Sequence, residues 1–294
     1  MAAISIALTT YNGDVFLREQ LDSILNQTIK FKELIICDDC STDSTKEILI
    51  DYRNKDPRIK LYFNDKNLGF KANFEKAIGL CSGELIALSD QDDIWLPDHL
   101  EKLYTHLGDK MIVCGDAEII DKQGKRTSSR LSKIKNFYWG KKTYKSLFQF
   151  IAYYQNPFQG ASMMIRRDFL EKVLLPIPAK VKYHDVWFAI CGTIYESIVF
   201  VDCPITLYRM HGNNASGSHR HKSTLRTLLG HLLKTNLDNN RREILDALYH
   251  VVLPAQNIKL IDDGVKYYRN RSISTRIKNF IFELINYNAI YGKY

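Results

Sequence analysis

With 294 residues, of which 45% are hydrophobic and 25% charged, the chain can bury a sizeable core and has neither a disordered nor a fibrous composition. No apolar run reaches the roughly 18 residues of a membrane span, and Met1-Ala2-Ala3 leads into an apolar segment without the basic stretch of a secretory leader, so a cytoplasmic location is expected. The net charge of +8 is uneven: from Arg220 onward there are 13 Lys/Arg against 6 Asp/Glu, and residues 122–145 hold nine Lys/Arg and no acid. Such stretches attract phosphates, nucleic acid or anionic lipid, or simply form a solvated face.

In chain order, residues 4–8 read as a strand that runs into the turn cluster Thr9-Thr10-Tyr11-Asn12-Gly13. A helix follows, with Asp14 as its expected cap and Leu17, Leu21, Ile24 and Leu25 at helical spacing. Residues 33–37 form a second strand, ending in Asp38-Asp39-Cys40-Ser41-Thr42-Asp43, which opens a second helix. A third strand at 59–63, the Asn67-Leu68-Gly69 turn, a helix over 71–80 and a fourth strand at 85–88 complete four strand–helix alternations. That rhythm predicts a parallel sheet covered by helices, with ligands at the carboxyl ends of the strands, where these polar clusters fall. Further on, the pattern predicts a helix to Leu107, a strand at 111–120, and strand-like residues 160–165 before a short helix. A helix opening at His184-Asp185 and two strands at 197–201 and 204–210 follow.

Two absences narrow the chemistry. There is no G-x-G-x-x-G after the first strand and no G-x-x-x-x-G-K-[ST], so neither a dinucleotide fold nor a P-loop is indicated. Cys37 and Cys40 form a lone C-x-x-C. A structural zinc site needs a second pair, and the Asp38-Asp39 spacer disfavours a thiolate, so all six cysteines are expected to be reduced. The strand at 85–88, by contrast, ends in Ser89-Asp90-Gln91-Asp92-Asp93, three carboxylates within four residues. Extended backbone would put Asp90 and Asp92 on one face and Asp93 on the other. Like charges this close repel unless something holds them. One holder is a hard divalent cation, bound through one or two carboxylates and the oxygens of a diphosphate; a solvated turn capping the next helix is the other reading.

Taken in order, the Thr9 cluster, Asp38-Asp39-x-Ser41-Thr42-Asp43, Asn67-Leu68-Gly69, Ser89-Asp90-Gln91-Asp92-Asp93-Ile94-Trp95, His184-Asp185 and Tyr208-Arg209-x-His211-Gly212-Asn213-Asn214 resemble the family 2 glycosyltransferases of the GT-A fold. The likeness is greatest to their bacterial rhamnosyltransferase-like branch and covers about residues 3–215. It implies an α/β, Rossmann-like and mainly parallel sheet with helices on both faces. The nucleotide-sugar half would be 1–97 and the acceptor-side half 98–215. The remaining 216–294, with no counterpart in the family, would be a basic helical extension.

The resemblance also implies roles. Thr9, Tyr11, Asn12, Asp39, Asn73, Asp90 and Gln91 would bind the donor, and Asp92 and His211 would hold Mg²⁺ or Mn²⁺. Asp185 would be the catalytic base, and Gly160, His184 and Trp187 would lie on the acceptor side. Cys40 stands where the family commonly has glycine. The implied reaction is inverting transfer of a sugar, rhamnose among the candidates, from a dTDP- or UDP-linked donor to a saccharide or lipid-linked saccharide in cell-surface polysaccharide synthesis. Trp139, among lysines, is a candidate stacking platform for a sugar, and Trp95 and Trp187 read as core.

In the tail, residues 225–233 and 244–253 read as helices, and Ile277, Phe280, Ile281, Leu284 and Ile285 form an apolar stripe flanked by Arg271, Arg276 and Lys278. Such a helix suits peripheral contact with the inner face of the cell membrane, or packing against protein. Two other readings stand beside the transferase. A sugar-phosphate nucleotidyltransferase would need a glycine- and Arg/Lys-rich loop where Thr9–Gly13 stands. A basic nucleic-acid-binding module would leave the acidic cluster unexplained, and no nucleic-acid partner is expected.

Overall fold

The computed structural model describes residues 2–135, 137–153, 155–212, 243–244 and 247–248. In chain order its elements are β1 (Ile4–Thr10), α1 (Leu17–Leu25), β2 (Glu33–Asp38), α2 (Thr45–Lys55), β3 (Ile59–Phe63), α3 (Phe70–Leu80), β4 (Leu85–Ser89), β5 (Ile94–Trp95), α4 (His99–Leu107) and β6 (Ile112–Ile120). They continue with β7 (Arg126–Arg130), α5 (Leu131–Ile134), α6 (Tyr144–Tyr153), β8 (Met163–Arg166), α7 (Arg167–Phe169), α8 (His184–Ile194) and β9 (Ile198–Arg209).

The chain divides into two units whose segments alternate along the sequence. The first is Met1–Arg130, Phe158–Pro176 and Ile198–Asn213. It contains the nine strands found among the described residues, hydrogen-bonded in the order β3-β2-β1-β4-β8-β6-β9-β5 with β7 on β6. The β3-β2-β1-β4 part is parallel, as the alternation predicts. Beyond β4 the sheet is mixed: β8 runs antiparallel to both β4 and β6, while β9 is parallel to β6. Every residue of β1, β2 and β4 is buried. Strands covered on both faces read as continuous apolar runs, which is why they are visible in the sequence. Ile6, Leu8, Leu34 and Ile36 pack with Leu17, Leu21 and Ile24 of α1, each burial worth about 1.5–3 kcal/mol.

The second unit, over its described residues, is helical. It holds α5, a 3-10 turn at Trp139–Lys141, α6 and α8, with α6 packed against α8. The helices expected over 225–233 and around 277–285 lie outside the described residues. Of 244–253, Ile244, Ala247 and Leu248 are described; they are helical and buried, with Ile244 and Leu248 one turn apart. Among the described residues no helix is long and apolar enough to cross a membrane.

Several local expectations are corrected. The two strands expected at 197–201 and 204–210 are one strand, β9, bent where its register against β6 shifts around Gly115 and Asp116. The Asp202-Cys203-Pro204 break in apolar pattern is a bulge, not a turn. Gly115 makes the bend possible, because a Cβ there would run into the Ile205 side chain. Residues 160–162 form a 3-10 turn ahead of β8, and β5 has no counterpart in the sequence reading. Asp14 does not cap α1, whose N-cap is Phe16 with no side-chain bond; the Asp14 amide instead donates to Asp43. The basic 122–145 stretch includes regular structure, since β7 pairs with β6 and Arg126 with Glu118. All six cysteines are free thiols, as expected.

Candidate active site at the carboxyl edge of the sheet

The carboxyl ends of β1, β2 and β4 lie side by side, since Thr10 pairs with Asp38 and Leu8 with Ser89. The loops leaving them therefore meet. The turn after β1 is held from both sides. Asn12 and Gly13 donate their amides to the hydroxyls of Ser41 (2.9 Å) and Thr45 (2.8 Å), and the Asn12 Oδ1 accepts the Thr42 amide (2.8 Å). From β4, the Gln91 amide clamps the backbone of Tyr11, accepting its N–H at 2.8 Å and donating to its carbonyl at 3.0 Å. These bonds fix the backbone and leave the Tyr11 ring half exposed (50%) at the rim. Thr9, near the end of β1, is buried.

Asp39 is buried, and its carboxylate is occupied by the loop that follows β3. Oδ1 accepts from Asn64 Nδ2 (2.8 Å) and the Leu68 amide (2.7 Å), and Oδ2 accepts from the Gly69 amide (2.9 Å). Asn73, expected at the donor, is buried deeper. It donates to the Cys37 carbonyl (2.8 Å) and accepts from Asn64 (2.9 Å), so its observed work is to brace α3 against β2. Cys40 adopts a φ of 63°, the left-handed region in which glycine is favoured, and its thiol donates to the Asn64 carbonyl.

The acidic turn after β4 is not extended, but its carboxylates still divide. Asp90 and Asp92 are part-exposed and Asp93 is fully buried. Asp93 accepts the Arg209 amide at 3.1 Å and the Gln159 side-chain amide at 3.0 Å. Burial first, then the charges of Asp92 and Asp90, push its carboxyl well above the usual range, against the pull of Arg209. Asp92 Oδ2 lies 2.8 Å from His211 Nε2, a residue 119 positions away that follows β9. The two predicted metal ligands are thus brought together. Among the described residues no group of three or more His, Cys, Asp or Glu side chains closes around one point. The protein's own donor set is therefore one carboxylate oxygen and one imidazole nitrogen. That set fits an ion such as Mg²⁺ or Mn²⁺ that completes its shell with phosphate oxygens and water.

Gly160 begins the 3-10 turn of the first unit; beside it Trp95 Nε1 donates to the Ala161 carbonyl, and Ser162 bonds Thr206. In the second unit, Asp185 is part-exposed in the first turn of α8, its Oδ1 accepting the Val186 amide at 2.7 Å. His184 is buried in the same turn against Phe188, its charge disfavoured by burial. Trp187 is 1% exposed and therefore core, which corrects its placement as an acceptor contact. Trp139 is part-buried 6.4 Å from Phe137, while its neighbour Tyr138 is the exposed ring. Sequence reasoning missed four participants: Phe16, Glu19, Gln159 and Arg209. Arg209 sits inside the last motif, but nothing in a lone arginine's sequence context marks it as buried.

A family model described as Glycosyl transferase family 2 matches residues 5–174. Among curated proteins, the Escherichia coli UDP-Glc:alpha-D-GlcNAc-diphosphoundecaprenol beta-1,3-glucosyltransferase WfgD is 36% identical over 98 residues, 33% of this chain and 38% of that protein. The alignments with the first two curated relatives span 37% and 61% of those proteins' lengths. Among solved structures, S. aureus TarS 1-349 in complex with UDP-GlcNAc matches with a TM-score of 0.60 at 18% identity, over 98% of this chain and 78% of that one. The mannosyltransferase PcManGT from Pyrobaculum calidifontis, in complex with GDP-Man and Mn²⁺, matches with a TM-score of 0.57 at 15% identity, over 97% and 75%. At such identities the two structures establish a shared fold, the α/β GT-A arrangement expected from the motifs.

Proposed function

The chain belongs to glycosyl transferase family 2, and we propose that it transfers a sugar from a nucleoside-diphosphate donor to a saccharide or lipid-linked saccharide, with inversion and with a divalent cation. UDP- and dTDP-linked sugars, rhamnose among them, are the proposed donors. WfgD's name specifies UDP-Glc and a diphosphoundecaprenol-linked acceptor, and TarS was solved with UDP-GlcNAc. The observation that carries the reading is the meeting of Asp92 and His211 at 2.8 Å, next in sequence to Gln91, which clamps Tyr11.

Each residue has a physical task. Tyr11 offers an exposed aromatic face to a nucleobase; Gln91 keeps its backbone still, and Ser41 and Thr45 hold the next two residues, Asn12 and Gly13. Asp39 retains acceptor capacity on Oδ2 beyond the bond from Gly69. Asp92 and His211 would hold the cation, which supplies a Lewis acid for the charge shed onto the departing nucleoside diphosphate. Asp185 is the proposed base, taking the acceptor hydroxyl's proton as the new bond forms. Help of this kind is worth roughly 10²–10⁴-fold. Asp185 stands part-exposed in the first turn of α8. The basic segment from Arg220 onward is proposed to rest on an anionic leaflet. If the full chain does not pellet with anionic liposomes at low salt, that part fails.

The deciding assay offers UDP-Glc, UDP-GlcNAc and dTDP-rhamnose with and without Mn²⁺. Cation-dependent binding of one of them is expected. Full turnover after exhaustive chelation would remove the cation from the account. Asp185→Asn should bind donor as the parent does and fail to transfer; near-normal turnover would mean that another group is the base.

A further inference from the structure

Arg209 ends β9, yet it is 1% exposed and among the largest fully buried side chains. Its polar groups reach three separate pieces of the first unit. The main-chain N–H donates to Asp93 Oδ1 (3.1 Å) and Nε to the Asp92 carbonyl (3.0 Å). One terminal nitrogen donates to the Lys122 carbonyl (3.3 Å) and the other to the Glu19 carboxylate (2.8 Å). The guanidinium also lies 4.6 Å from the centre of the Phe16 ring, and that ring is 5.2 Å from the His211 imidazole.

The contacts close a loop. Arg209 holds Asp92 by its carbonyl, supports Phe16, and Phe16 backs His211, which meets the Asp92 carboxylate at 2.8 Å. A buried cation is a poor way to gain stability, because desolvation offsets its ion pair, and the Glu19 side chain is itself 54% exposed. A hydrophobic side chain would fill the space at less cost. What it could not do is hydrogen-bond three separate acceptors; a guanidinium does so from nitrogens spread across one rigid plane, whereas an ammonium sends its three N–H groups from a single atom.

We propose that Arg209, seated by Glu19 and Phe16, is a positioning residue that fixes the orientation of Asp92 and His211 for cation binding. This rests on the reading of that pair as the cation's ligands. Arg209 touches neither donor nor acceptor in this role. It sets where two ligand side chains stand, and an error of about 1 Å there is costly to a preorganised site.

The test is Mn²⁺ binding to the full chain by titration calorimetry with UDP present, alongside thermal unfolding and separate kcat and KM values. Arg209→Lys keeps the charge and loses the fork, and Glu19→Gln alters the half-exposed end only. Both are expected to unfold within a few degrees of the parent. Arg209→Lys is expected to bind Mn²⁺ at least tenfold more weakly, and Glu19→Gln several-fold more weakly, with kcat falling and the donor KM measured at saturating Mn²⁺ little changed. Parental Mn²⁺ affinity in both variants would overturn the proposal, and if Arg209→Lys does not fold, Glu19→Gln decides it alone. Asp92→Asn separates the two failures. If it abolishes Mn²⁺ binding while the Arg209 and Glu19 variants bind normally, the ligand pair stands and the positioning role falls. If Asp92→Asn also binds Mn²⁺ normally, both fall.

Discussion

The two edges of the sheet each bury a carboxylate, and the two are treated in opposite ways. At the amino edge, Glu33 opens β2 and accepts from Ser5 Oγ (2.7 Å), the Ser82 amide and hydroxyl (2.6 Å each) and Lys60 Nζ (2.6 Å). Burial alone would raise its pKa, but Lys60, Ser82 and Ser5 outweigh that and hold it at about 2. At the carboxyl edge, burial and the charges of Asp92 and Asp90 hold the Asp93 carboxyl high. An acid that serves the fold is surrounded by donors until its charge is fully met. Acids that serve a site are crowded together and left short of positive charge, which is the condition that attracts a cation.

Breaking each edge should give opposite phenotypes. The largest effect is expected from Asp92→Asn, with transfer falling on the order of 10³-fold, Mn²⁺ no longer altering the rate, and urea unfolding close to that of the parent. Glu33→Ala should do the reverse. It strands Lys60, Ser5 and Ser82, costing about 3 kcal/mol in urea unfolding, at the lower end because Lys60 is half exposed, while kcat for the folded fraction stays put.

Acid titration of stability sharpens the contrast. His99 is fully buried and stacked on Trp95, with Nδ1 against the Ile205 carbonyl. Burial lowers its pKa from 6.5 to about 3, so its contribution is complete above pH 6.5 and is lost as pH falls toward 3. The Glu33 contribution is complete above pH 4.5 and lost as pH falls toward 2. Stability measured from pH 7 downward should therefore decline in two overlapping windows, and Glu33→Gln should remove only the more acidic one. The smallest effect is expected from Gly13→Ala. An added Cβ collides with the Gln91 side chain, which can swing away only by releasing Tyr11. Donor KM should rise a few-fold with little change in melting temperature.

The parallel half of the fold was legible because its strands are apolar throughout and end in cap-rich clusters. The resemblance carried by the same clusters paired Asp92 with His211, which do meet across 119 positions. Three features were not legible. β9 continues through Asp202-Cys203-Pro204 because Gly115 across the ladder yields space to Ile205, a tertiary fact with no local signature. Asn73 reads as a polar ligand in sequence, yet it is consumed by the Cys37 carbonyl and Asn64. Arg209 reads as surface charge by default, and only the convergence of Glu19, Asp92 and Lys122 makes its burial tolerable.

The alternation of the two units along the chain has a consequence for how such a protein can change. Their boundaries fall at 130/131, 157/158, 176/177, 197/198 and 213/214. A single recombination event therefore exchanges parts of both units, and neither can be transplanted from a homologue as one uninterrupted cassette. A chimera meant to replace the second unit must graft 131–157 and 177–197 together with the segment from 214 onward. By the same logic, segments far apart in sequence share one packed unit, which ties them into one evolving module.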